Sequence, residues 1–337
     1  MKIVIDSRNT YNNDRGLRVF TYELWQQLAF SQPGHVFVFI TGQKNMPARA
    51  SANVHTRYLR KTGFGWYDKI RLKKILLQLQ ADALVAVQDG GFSVSHHLQD
   101  QKDKKGSVPL AKKVLFAGAA SPASTTEPVQ TTITIQPALA EVITLLTWAE
   151  AESIKTQYTG GRAYFLFTGN ISDQQQLIEL LKAFSIFKKW QQSGMQLVIA
   201  GYTTSWTEVL EEKLLQYKYK ADIVLLKNIS HAETAKLVAA CYALVYPVAG
   251  NVFPLALLWA IQANKAIIAT DNEINRQITS TAAWVEKANT AAGFAKAMIL
   301  LYKDENQQQL LVQQTKEEAQ QITRDQMLAA VWRCIAQ

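Results

Sequence analysis

The sequence predicts an α/β protein built from two doubly wound domains in tandem. Short runs of four or five apolar residues alternate with longer stretches whose apolar residues recur at helical spacing. Those short runs are apolar throughout and do not alternate, so both of their faces must be covered, as in a parallel sheet with helices on either side. The chain has 337 residues, too long for one ordinary core and suited to two domains of about 150 residues each.

In the first half, Ile3-Val4-Ile5 is a strand that closes on Asp6, and a polar loop from Ser7 to Arg15 carries the turn formers Asn9, Asn12, Asn13 and Asp14. Phe20, Leu24 and Leu28 then mark one face of a helix. Val36 to Ile40 is the second strand, Tyr67 to Leu79 a helix, and Asp82 to Val87 a strand. Between Gln88 and Pro137 the pattern fades. Asp100 to Lys105 is a solvated charge run, and weak strand signals remain at Val114–Phe116 and Thr132–Ile135. Thr147 to Tyr158 reads as a helix broken by Gly160-Gly161.

The second half is clearer. Strands are predicted at Tyr164–Thr168, Leu197–Ala200, Ile223–Leu226, Ala243–Tyr246 and Ala266–Ala269, with a loop starting at Gly169. Helices fall between them at Gln175–Gln191, Trp206–Tyr217, Ala232–Cys241 and Leu255–Gln262, followed by Ala291–Tyr302 and Asn306–Ile322. The predicted domains are 1–160 and 161–322, with a helix at 323–337 that crosses back to the first domain. In such folds ligands sit at the carboxyl ends of the strands, here in a cleft that the two domains face.

Composition narrows the function. Hydrophobic residues make up 48% and charged residues 19%, ordinary for a well-buried chain. No run of about 20 apolar residues spans a bilayer. Met1-Lys2-Ile-Val-Ile-Asp offers no apolar signal core, which predicts a cytoplasmic location. Cys241 and Cys334 lie in apolar helical stretches without metal-ligand spacing, so reduced buried thiols and no metal are expected. Of the net charge of +9, the first 160 residues hold most, with 19 Lys and Arg against 12 Asp and Glu. A basic first half favours an anionic partner such as a phospholipid surface or a phosphorylated acceptor. No helix-turn-helix, RNA-binding or zinc signature accompanies it, and no nucleic acid is expected.

Three stretches carry a resemblance. Tyr164–Gly201 (YFLFTGNISDQQQLIELLKAFSIFKKWQQSGMQLVIAG) resembles the opening of the donor domain in family-4-type retaining glycosyltransferases of the GT-B fold. Leu225–Pro247 is similar to that family's next stretch, where strand and loop meet the nucleotide base, and Asn228 falls in it. Asn251–Thr270 falls where the family has its acidic donor motif. The N-terminal MKIVIDSRN…RGLRVFTYELWQQL is similar to the family's first strand, glycine-rich loop and helix. The resemblance is continuous over about 161–300 and patchy before that. It implies the GT-B architecture, two Rossmann-like domains, and hexosyl transfer from a UDP-, GDP- or ADP-sugar without an obligatory metal. It also implies a glycan or lipid-linked acceptor, while the basic first half suggests a place at the inner face of the membrane.

Residue by residue, the resemblance places a donor pocket at Gly16, Gly169, Asn170, Gln175, Asn228, Asn251 and Phe253, and Arg276, on a loop following a strand end, is a candidate replacement ligand for the phosphate. Several of these depart from the family pattern. A basic pair that neutralises the diphosphate leaving group is replaced by Asn170 and Gln175; amides hydrogen-bond a phosphate without offsetting its charge. Two glutamates eight residues apart become Asn251 and Trp259, and an indole only donates. The phosphate-loop glycine is Pro254, which has no N–H, and in the first loop Gly16 fits while Arg18 and Val19 replace a glycine and an arginine. Each lost charge-assisted contact costs roughly 1.5–3 kcal/mol. The catalytic residues are therefore unassigned. Two readings stay open: a working transferase, and a silent GT-B scaffold that binds a glycan or a partner glycosyltransferase.

Other features have bland readings beside functional ones. Arg57–Lys74 holds seven Lys and Arg, one acid, and the rings of Tyr58, Phe64, Trp66 and Tyr67. It reads either as a surface for anionic lipid or as a helix packing Ile70, Leu76 and Leu77 inward beneath a wet basic face. His96 and His97 are expected in a loop, His231 beside a cap at the surface, and Arg276 on a loop after a strand. Tyr202 and Trp206 are expected to pack in a core or lid, and Lys188-Lys189 to complement a helix dipole.

Overall fold

The computed structural model describes residues 1–8, 15–42, 51–60, 62, 65–88, 91–96, 112–116, 132–139, 145–172, 176–248, 252–286, 290–321 and 323–336. The chain forms two compact units, one of residues 1–141 with 324–337 and one of residues 142–323.

In the first unit, β1 (Lys2–Asp6) has Ile3, Val4 and Ile5 fully buried, so it lies at the centre of a sheet. It pairs in parallel with β2 (Val36–Thr41) on one side and β4 (Ala83–Gln88) on the other. The full order is β3-β2-β1-β4-β5-β6-β7, with β3 at Val54–Tyr58, β5 at Gly91–His96, β6 at Lys112–Phe116 and β7 at Thr132–Ile135. Only β5 runs antiparallel to its neighbours. Helix α1 (Arg15–Ser31) buries Phe20, Leu24 and Leu28 as its spacing predicts, with Trp25 against Phe92 at 5.0 Å. Helix α2 (Gly65–Leu79) turns Leu72, Ile75, Leu76 and Leu79 toward Val4, Val38, Ile40 and Leu84. That corrects the expectation for Ile70 and Leu77, which both face water.

The last helix, α11 (Arg324–Ala336), belongs to this first unit. Trp332 packs on His35 and Phe37, and the Ala138 N–H donates to the Met327 sulfur at 3.1 Å.

The second unit opens with α3 (Trp148–Thr159), capped reciprocally by Thr147 and Glu150 and ended by Gly160 in the left-handed region. It packs on α6 (His231–Ala240), with the Tyr158 hydroxyl donating to Glu233 at 3.3 Å. The unit therefore begins ahead of this helix, whereas the sequence reading divides the chain after it.

Its sheet is parallel throughout, in the order β10-β9-β8-β11-β12-β13. The strands are β8 (Tyr164–Ile171), β9 (Gln196–Thr203), β10 (Ile223–Lys227), β11 (Ala243–Tyr246), β12 (Ala266–Thr270) and β13 (Trp284–Glu286). Helices α4 (Leu177–Gln191), α5 (Thr207–Leu215), α7 (Leu255–Gln262), α8 (Glu273–Thr279), α9 (Ala291–Lys303) and α10 (Glu305–Gln321) complete it. Lys188 does more than face a helix end: it is buried, reaches Asp222 at 2.9 Å and donates to the Ser193 and Met195 carbonyls.

Two glycines let β8 and β9 approach closely. A Cβ on Gly201 would lie 1.9 Å from the carbonyl oxygen of Gly169, whose own φ is +154°. Backbone cannot move aside as a side-chain tip can. Gly201→Ala is expected to cost about 3 kcal/mol in urea unfolding, at the upper end of overpacking effects. Gly194→Ala, with open space around the new methyl, should leave the midpoint unchanged or slightly raised.

Candidate functional site

The sheet of the second unit reverses its order between β8 and β11, and the carboxyl ends of its strands share one edge. That is where a parallel α/β sheet receives a ligand, because the loops and helix amino termini gather there.

At the end of β8, Gly169 and Asn170 are still strand, paired with Gly201 and Tyr202. The expected loop starts later, and Asn170 is half-buried at the strand's last turn. Asn228 follows β10 in the left-handed region, at φ +54°. Its Oδ1 accepts from the Thr203 N–H and hydroxyl at 3.1 and 3.2 Å, and its own N–H donates to the Gly201 carbonyl at 2.7 Å. Asn228 thus ties together the ends of β9 and β10. Gln175 and Asn251 lie outside the described residues, and Gly16 sits in the first turn of α1, in the other unit.

Phe253 is buried, and Pro254 occupies the N-cap of α7 with no side-chain cap bond. The Leu255 N–H donates to the Phe253 carbonyl at 2.9 Å, so one of the helix's first amides is already occupied. Trp259, at the position of the expected ribose-binding glutamate, is only 8% exposed. Its ring lies 6.1 Å from that of His231, which hydrogen-bonds the Tyr202 hydroxyl. His231 is therefore half-buried between two aromatic side chains, a correction to the surface position expected of it. Trp206 forms the N-cap of α5.

Arg276 stands on α8, not on a loop, and its Nε is 3.1 Å from Asp271 Oδ1. Lys227, the basic residue at the end of β10, pairs with Glu211 at 2.7 Å. The segments 169–181, 201–212 and 246–263 contain no Lys or Arg. The candidate edge is thus poor in positive charge, and the two cations at its margins already have carboxylate partners.

In the first unit the structure shows a group that sequence reasoning missed. Arg8, two residues beyond β1 and 8% exposed, grips Asp6 with Nε and Nη2, each at 2.7 Å. Burial opposes its charge, but hydrogen bonding and attraction from Asp6, with a further contribution from Asp68, raise its pKa above the usual arginine value. Its Nη1 is buried and has no hydrogen-bond partner among the described residues. An Asp-x-Arg at the end of a buried strand was the available signal. His96 ends β5 instead of lying in a loop, and His97 is outside the described residues.

Two Rossmann-like units, the second in the 3-2-1-4-5-6 order, with a strand-end site in that second sheet, define the GT-B class of glycosyltransferase. The profile of the family "Glycosyl transferases group 1" matches residues 149–318, and the chain belongs to that family. No curated protein sequence matches it. Solved structures agree over their whole length at low identity. WaaG, a glycosyltransferase involved in lipopolysaccharide biosynthesis, gives a TM-score of 0.71 at 9% identity, covering 98% of each chain. Sucrose-phosphate synthase (tll1590) from Thermosynechococcus elongatus gives 0.72 at 13%, covering 99% of this chain and 98% of the other. Anabaena Alr3699/HepE, solved with UDP and glucose, gives 0.69 at 10%, covering 99% and 98%. Likeness at such identity establishes the fold.

The Asp6–Arg8 pair yields a stability prediction. Asp6→Asn leaves a buried guanidinium without its counter-charge and should cost about 3–5 kcal/mol in equilibrium unfolding. The double variant Asp6→Leu/Arg8→Met should recover most of that loss, since no buried charge then remains. An Asp6→Asn midpoint equal to wild type would show the pair to be hydrated and of little weight.

Proposed function

We propose that the chain keeps the scaffold of a retaining, metal-independent glycosyltransferase of polysaccharide or glycolipid assembly, but no longer turns over a nucleotide sugar at an ordinary rate. On this reading it acts as a scaffold, binding a glycan or a partner glycosyltransferase. The observation that carries the proposal is Trp259. Where a carboxylate would accept both ribose hydroxyls, a buried indole is packed beside His231, and an indole accepts no hydrogen bond. Asn170 in place of a cation acts in the same direction. Arg276, the replacement read from the sequence, stands on α8 in a partly exposed pair with Asp271.

A second reading, a slow transferase using a UDP-, GDP- or ADP-sugar, draws on the intact strand-end geometry, including the Gly169–Gly201 approach. UDP complexes of proteins with this fold support the donor class. Calorimetry with the three sugar nucleotides separates the two. The scaffold reading expects no binding below millimolar ligand, and micromolar affinity would overturn it. Restoring charge with Asn170→Arg and Gln175→Lys should tighten UDP by at least about a hundredfold, since each charge-assisted contact is worth roughly 1.5–3 kcal/mol.

The protein is also proposed to rest on the inner face of an anionic membrane through residues 57–74. Among the described residues no helix is long and apolar enough to cross a bilayer. On α2, however, Trp66 and Ile70 are 67% and 55% exposed, with Tyr67 and Leu77 also open and Lys69, Lys73 and Lys74 on the same helix. Rings at headgroup depth beside lysines suit an acidic lipid surface. Trp66→Ser/Ile70→Ser should lower co-sedimentation with phosphatidylglycerol vesicles at least about fivefold, one buried apolar side chain contributing roughly 1.5–3 kcal/mol. Retention unchanged by the substitutions, or equal on neutral vesicles, would remove this face as the contact.

A further inference from the structure

The second unit has a cavity of about 480 Å³ at the opposite edge of its sheet, where the strands begin. Ala163, Tyr242 and Lys265, each just ahead of a strand, contribute to its floor. Trp148 and Lys155 of α3 and Gln308 and Val312 of α10 contribute to its walls. The volume falls within the roughly 300–1,000 Å³ of small-molecule sites.

We propose that this cavity binds a glycan segment bearing an acidic group. Three properties of its lining point to that chemistry, and none of them depends on the nucleotide-sugar question.

The first is a stacking plane. Trp148 is 80% exposed although it follows directly on the Thr147 cap, so the helix start that positions it is well fixed while its ring is left open. An open indole at a polar cavity presents a flat apolar face with a polar edge, suited to the C–H face of a pyranose.

The second is a set of uncommitted amides. Asn264 is held at φ +53° by the turn between α7 and β12, where its N–H donates to Ile261 and the next N–H, of Lys265, to Ala260. Among the described residues the Asn264 and Gln308 side chains make no hydrogen bond. A primary amide carries a donor and an acceptor together, which matches neighbouring sugar hydroxyls.

The third is unbalanced charge. Lys155 is paired with Glu152 at 2.7 Å, but Lys265, half-buried on the cavity floor, has no ion pair among the described residues. Such an ammonium can form a charge-assisted hydrogen bond to an anionic group of a ligand. Cys241, on the same wall, supplies none, because burial pushes its thiol up to about 12 and keeps it protonated. The cavity thus combines stacking, hydroxyl recognition and one positive charge, the recognition set of an acidic sugar.

Saturation-transfer NMR and calorimetry on the full chain test the assignment. The probes are a tetrasaccharide of alternating glucuronate and N-acetylglucosamine, and neutral cellotetraose. The acidic probe is expected to bind with Kd on the order of 0.1–1 mM and the neutral one about tenfold more weakly. Trp148→Ala, an exposed substitution without folding risk, should weaken both at least about tenfold. Lys265→Gln should erase only the preference for the acidic probe. Silence of both probes at about 10 mM, or acidic binding untouched by Trp148→Ala and Lys265→Gln, would overturn the proposal. Displacement of the bound probe by UDP would also overturn it, by placing the sugar at the other edge.

Discussion

Strand β8 has no face to give to water. Tyr164, Phe165, Leu166 and Phe167 are fully buried, and because their side chains alternate, each side of the sheet must be roofed by helices. Phe165 meets Phe187 of α4 at 5.2 Å and Tyr242 at 5.7 Å, while the Tyr164 hydroxyl, which cannot remain unpaired in such a place, donates to the Leu237 carbonyl of α6 at 2.7 Å. Burying each of these side chains is worth roughly 1.5–3 kcal/mol. Roofing both sides of a sheet by crossover helices makes its strands parallel, and parallel strands end at one edge. The separation of the second unit into a carboxyl edge and an amino edge, with different chemistry at each, follows from how β8 is buried.

Magnitudes decide what has altered the carboxyl edge. The ion pairs of Arg276 with Asp271 and Lys227 with Glu211 are exposed in part and contribute about 0–1 kcal/mol each. A diphosphate could break either at little cost, so these pairs alone do not disable the site. Trp259 and Pro254 are different. Trp259 belongs to a helix whose residues Leu255 to Ile261 are all buried, and rotating the indole away would open a void in that packing. Pro254 lacks the N–H by construction. Pro254 and Trp259 are thus fixed by covalent structure and packing, whereas the two ion pairs can rearrange.

Much of this was legible in the sequence because the core strands announce themselves. Ala243–Tyr246 and Ala266–Ala269 are found where the apolar runs place them, and Leu255–Gln262 is a helix as read. Edge elements were harder. Strand β3 reads VHTRY, mostly exposed, so neither apolar run nor alternation marks it, and β13 is three residues long. Strand β5 buries Ser93 and Ser95 beside Phe92 and Val94, and its polar composition hides a position between two other strands. Of the candidate site, residue types were readable but commitments were not. Sequence can name Asn228 and Arg276, yet only geometry shows their polar atoms engaged with Thr203 and Asp271. Arg8 was overlooked because a buried guanidinium is unexpected until its carboxylate partner is seen to share the burial.

The two edges of the second sheet are therefore complementary in a chemical sense. At the carboxyl edge Arg276 and Lys227 are paired with carboxylates and Trp259 is packed within α7. At the amino edge Trp148 is open, and among the described residues Lys265 has no ion pair and the Asn264 and Gln308 amides make no hydrogen bond. A helix interior tolerates Trp259 because burying its ring stabilises the fold, so its presence is explained by packing alone. Lys265 differs, since it lines the cavity and its ammonium has no ion pair among the described residues. On the proposal above, that charge, the open indole and the amides place glycan binding at the edge opposite the one the fold would nominate first.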